Sequence, residues 1–115
     1  SIEIRNGNYP QAISLLKGAD ENNADALYNL GLAYLLSKDF SNGQQALEAA
    51  AYADNQNALA FYCLAIVGAR TGNATLLNNN LKEAVKLNGA LRDKAINDLE
   101  FRKYWEDATF IESLK

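Results

Sequence analysis

Residues 24–57 and 58–91 are two copies of one 34-residue unit laid end to end, and no other feature narrows the fold as much. The copies align without a gap. Leu27, Leu30, Gly31 and Tyr34 fall on Phe61, Leu64, Ala65 and Gly68. Lys38, Asp39 and Phe40 fall on Gly72, Asn73 and Ala74, and Leu47 with Ala50 falls on Leu81 with Ala84. Repeats at a fixed period of this length are the mark of an array whose units stack on their neighbours.

This large-x-x-Leu-small-x-x-large opening, at this period, resembles the tetratricopeptide repeat family over about 60% of the chain. The resemblance implies that each copy is a pair of antiparallel helices with the bulky positions filling the space between them, and small residues where the backbones approach, Gly31 or Ala65 on the first helix and Ala50 or Ala84 on the second. It implies an all-α fold, a right-handed α-α superhelix of about six to seven helices. Three positions depart from the family pattern. Leu27 replaces the aromatic opener, Asn55 and Gly89 replace the proline after the second helix, and Leu77 replaces the small residue that Gly43 supplies in the first copy. A large side chain at a close-approach position leads us to expect the second helix pair to be widened or rotated.

We read residues 1–115 as a single domain in four parts. Residues 1–23 give the second helix of a truncated repeat, with Gly7-Asn8-Tyr9 as its turn, Pro10 in its first turn, and Ala12, Leu16 and Ala19 on the small-large-small spacing. Residues 24–57 and 58–91 are the two repeats, and residues 92–115 form C-terminal capping helices. Asn23, Asp39, Asn57 and Asn73 each precede an apolar-periodic run, which predicts capped helices over 24–37, 40–53, 58–71 and 74–87. Gly72 stops the third. That third helix is apolar on almost every side and is expected to lie centrally. In the fourth, Leu77, Leu81, Ala84 and Val85 face inward while Asn78, Asn79, Lys82 and Lys86 face water.

The tail breaks the period. Leu91, Ala95 and Ile96 give one more amphipathic helix, and Phe101, Tyr104, Trp105 and Phe110 read as an aromatic cap over the last repeat. The Asp98-Leu99-Glu100-Phe101 segment, with the aromatics after it, is similar to the tails of tetratricopeptide domains at the C-terminus of larger bacterial proteins, cytoplasmic or of the cell envelope.

Several function classes fall away. The net charge is -3, from 11 Lys+Arg against 14 Asp+Glu, with neither sign in blocks, so no basic face is available for nucleic acid. The longest apolar run, residues 58–69, ends at Arg70 and is too short for membrane insertion. The chain has no histidine, which removes the commonest general base, the Ser-His and Cys-His nucleophile pairs, and most zinc sites. The close acidic pairs Asp20/Glu21 and Asp98/Glu100 read as helix-end caps. Cys63, between Tyr62 and Leu64, reads as small core filler. We expect no enzyme activity, cofactor or metal.

What remains is surface. In the family, the first helices of successive repeats line a concave groove that binds a peptide or a partner protein. The resemblance carries that role onto Tyr28, Asn29, Leu32 and Leu35 in the first copy and Tyr62, Ile66 and Arg70 in the second. The groove is apolar, with two tyrosine anchors and one cation, and suits an amphipathic or extended apolar segment. Against it stands the reading that several of these side chains are core, covered by the cap. The alternative function is structural, a homo-oligomer or a contact with the parent chain through Ile13 and Leu16 of the truncated repeat.

Overall fold

The computed structural model describes residues 23–115. Among them are six α-helices, one 3-10 helix and no strand, and the fold is all-α. The truncated repeat, with Ile13 and Leu16, lies outside the described residues. The chain divides between Asn55 and Gln56 into two compact units.

The first unit holds α1 (Ala24–Leu36) and α2 (Phe40–Ala53). The second holds α3 (Ala58–Thr71), α4 (Ala74–Leu87), α5 (Ala90–Asn97), the 3-10 helix (Leu99–Tyr104) and α6 (Ala108–Ser113). Each repeat helix starts where its capping residue stands. The side-chain oxygens of Asn23, Asp39, Asn57 and Asn73 accept the N–H of Ala26, Asn42, Ala60 and Leu76 at 3.1, 3.3, 3.2 and 3.0 Å. Each such cap contributes about 1 kcal/mol. α1 ends one residue before the expected boundary, because Ser37 turns out of the helix and its hydroxyl donates back to the Tyr34 carbonyl at 2.9 Å. Gly72 closes α3 at φ 73°, the left-handed conformation that glycine adopts without cost. Lys38, its counterpart after α1, adopts φ 66° with a side chain attached.

Leu77 does not push its helix pair apart. In the first unit the bulky residue at this contact is Tyr34 on α1, and Gly43 on α2 receives it. A Cβ built on Gly43 would lie 3.3 Å from the Tyr34 Cβ. In the second unit the sizes are exchanged, and Leu77 on α4, fully buried, faces Gly68 on α3. A Cβ on Gly68 would collide with the Leu77 backbone nitrogen and stand 2.8 Å from the Asn73 carbonyl oxygen. The expected widening is absent because Gly68, the counterpart of Tyr34, gives up the volume that Leu77 takes.

In the first unit Ala33, Tyr34, Leu47 and Ala50 are buried. In the second, Tyr62, Leu77, Leu81 and Val85 join Phe101, Phe110 and Leu114 from the tail in one core. Burying those three tail side chains stabilises the unit by about 2 kcal/mol each. Two tail hydrogen bonds fix it further, from Arg92 Nε to the Leu114 carbonyl at 2.6 Å and from Trp105 Nε1 to the Ala95 carbonyl at 3.2 Å. The tail also corrects the expectation that Asn78 faces water. Asn78 is buried, with its Oδ1 unpartnered, because α6 packs on α4, and Asp107 and Thr109 border a cavity of about 330 Å³ at that point.

Candidate functional site

The residues nominated on α1 share a helix face. Tyr28, Leu32 and Leu35 recur at spacings of four and three, the repeat of one helical side, and Asn29 flanks them. All four are partly exposed, and Leu36 beside them is 42% exposed.

Of their counterparts on α3, Tyr62 is closed off, whereas Ile66 is partly exposed, as Leu32 is, and Arg70 is exposed. Tyr62 is 2% exposed, so it is a core residue and no anchor on a free surface. Its hydroxyl donates to the Asp98 carboxylate at 2.7 Å, and its ring meets Phe101 edge-on at 5.5 Å between centroids. Lys94 Nζ lies 5.6 Å above the ring. Burial first, and then the bond to Asp98, push the Tyr62 hydroxyl well above the usual phenol range. It therefore stays a donor, and the stability it supplies is complete below the phenol pKa of the unfolded chain, about 10, and declines as pH rises past it. Cys63 is buried as well, and Ile66 is partly buried against the same core.

Arg70 stands apart from the buried set. Its guanidinium grips Glu100 of the 3-10 helix in a two-pronged pair, Nε to Oε1 at 2.5 Å and Nη2 to Oε2 at 2.9 Å. The hydrogen bond and the charge of Glu100 raise the arginine pKa, so it stays charged. With both partners partly in water, the pair adds little stability, and its effect is to fix where the 3-10 helix sits over the end of α3. Beside it opens a cleft of about 370 Å³ between Ala69 and Arg70 on one side and Leu99, Glu100, Arg102, Lys103 and Tyr104 on the other.

Repeat spacing offered Arg70 as the cation of the groove, not of this cleft, and missed Leu99, Arg102 and Lys103, which belong to no repeat position. Leu99 is 74% exposed, an apolar side chain between two carboxylates in the sequence, and that pattern was the one available signal. Among the described residues no three His, Cys, Asp or Glu side chains gather in a way that could hold a metal, and no helix is long and apolar enough to cross a membrane.

Paired antiparallel helices of a 34-residue period, closed by a tail packed into the last pair, define a helical-repeat protein with a terminal cap. A family model described as tetratricopeptide repeat matches residues 3–65, more than half of the 115 residues, and the chain belongs to that family. No curated protein and no solved structure matches it. Repeats of this family generally mediate protein–protein interaction or scaffolding and are generally non-catalytic.

Proposed function

We propose that the chain is a non-catalytic scaffold module that binds a peptide or a partner protein on the α1 face, through Tyr28, Asn29, Leu32 and Leu35. One contrast carries the reading. The α1 positions are partly exposed, whereas Tyr62, which repeats Tyr28, is sealed beneath Asp98 and Phe101. With the Tyr62 position closed, the surface we propose is centred on the first repeat. Binding there draws on apolar area held on a preformed helix, so little ordering opposes it. The test is a random peptide library displayed on phage and selected on the folded chain. Selected peptides should lose at least about tenfold in affinity on Leu32→Asp and keep it on Tyr52→Asp, a change at an exposed position of α2. Selected peptides that bind the Leu32→Asp chain equally well would sink the assignment.

A further inference from the structure

The cleft between α3 and the 3-10 helix points to a partner of definite chemistry. We infer that it receives an acidic segment of another protein, carboxylates against Arg102 and Lys103 and one apolar side chain against Leu99. The inference rests on the protein-binding reading above and adds a second, separate contact surface to it.

Three observations support it. Arg70 and Glu100 neutralise each other across the cleft, so the charge left over is that of Arg102 and Lys103, both exposed. Among the described residues neither forms an ion pair, and both line the same cavity in a chain whose net charge is -3. A local positive site on an acidic protein attracts an anionic partner and orients it. Next to these cations Leu99 is 74% exposed, and the aliphatic end of the cleft is completed by Ala69. Cations beside an uncovered leucine suit a chain that alternates acidic and apolar side chains. A nucleic-acid backbone offers no group for Leu99 and asks for a longer row of cations than two. The Arg70–Glu100 pair joins the two walls of the cleft. The cleft holds no repeat-position residue except Arg70 and its neighbour Ala69, so it is an acquisition of the cap.

The experiment uses the full chain and three fluorescein-labelled probes of equal length. They are a peptide alternating Glu and Leu, the same peptide with Lys in place of Glu, and a single-stranded oligothymidylate. Anisotropy titrations should show the acidic peptide binding at least about tenfold more tightly than the lysine peptide and the oligonucleotide, and weakening as salt rises past the range where the Debye length falls below about 10 Å. The double variant Arg102→Glu with Lys103→Glu should cost the acidic peptide about tenfold or more, and Leu99→Ser a smaller loss. Leu32→Asp should leave it unchanged. All these positions are exposed or partly so, and a retained helical circular-dichroism signal checks that each variant is folded. Equal binding of the acidic and lysine peptides, equal binding of the oligonucleotide, or no effect of the double variant would overturn the inference. If phage-selected peptides still depend on Leu32 while the acidic peptide fails, the cleft assignment falls alone. If neither Leu32→Asp nor the cleft variant affects any selected peptide, the protein-binding reading falls with it.

Discussion

The two repeats solve the same packing contact with opposite residues. At the helix-pair crossing, residues 24–57 place the bulky side chain on the first helix, Tyr34 against Gly43, and residues 58–91 place it on the second, Leu77 against Gly68. The repeats also differ in their turns, Lys38 against Gly72, and in what covers the first helix, which in the second repeat is the tail. The lesson is that size at a repeat position belongs to the pair. A departure such as Leu77 is read correctly only together with the residue it meets.

The largest effect should follow from adding one methyl group at Gly68. Gly68→Ala meets backbone atoms, which cannot rotate away, so it should cost about 3 kcal/mol or more in chemical denaturation. Gly43→Ala meets the Tyr34 Cβ at 3.3 Å, a contact a few tenths of an ångström can relieve, and alanine's better helix propensity offsets part of the strain. Its expected cost is under about 1 kcal/mol. Equal costs for the two would contradict the exchange of close approach.

Next in size is the bond that ties the cap to α3. Tyr62→Phe keeps the ring against Phe101 and deletes the donor to Asp98, for an expected loss of about 1.5 kcal/mol, because the acceptor is a carboxylate left partly desolvated. The same variant should flatten the fall in melting temperature above about pH 10, where only the unfolded chain ionises this tyrosine. A slope as steep as wild type would place the titrating group elsewhere.

The turns give a smaller effect than the bond to the cap, and one of opposite sign. Lys38→Gly relieves a left-handed conformation and should stabilise by about 1 kcal/mol, and Gly72→Ala should destabilise by a similar amount. Thermal melts of the two variants moving in the same direction would break the symmetry between the turns.

The helix boundaries were legible because capping is local: Asn23, Asp39, Asn57 and Asn73 sit one residue before the helices they start. The aromatic cap was legible from the loss of period after residue 91. Relations across elements were not. The pattern of α4 alone puts Asn78 on the wet side, and only the docking of α6 buries it. The Gly68 and Leu77 compensation needs the facing residue, nine positions away on another helix. The cleft joins Arg70 to residues 29 to 34 positions later, on a 3-10 helix with no repeat register. Of the nominated site, Tyr62 proved to be core because a spacing rule assigns a face to a helix without knowing what the tail lays over it.

The most direct test is the affinity of one phage-selected peptide for Leu32→Asp and for Tyr62→Phe, each measured by calorimetry on folded protein. Leu32→Asp should weaken binding at least about tenfold while Tyr62→Phe leaves it unchanged, although it lowers stability. Equal weakening by both variants would mean that the groove runs through the second repeat after all, and that the cap leaves Tyr62 available to a partner.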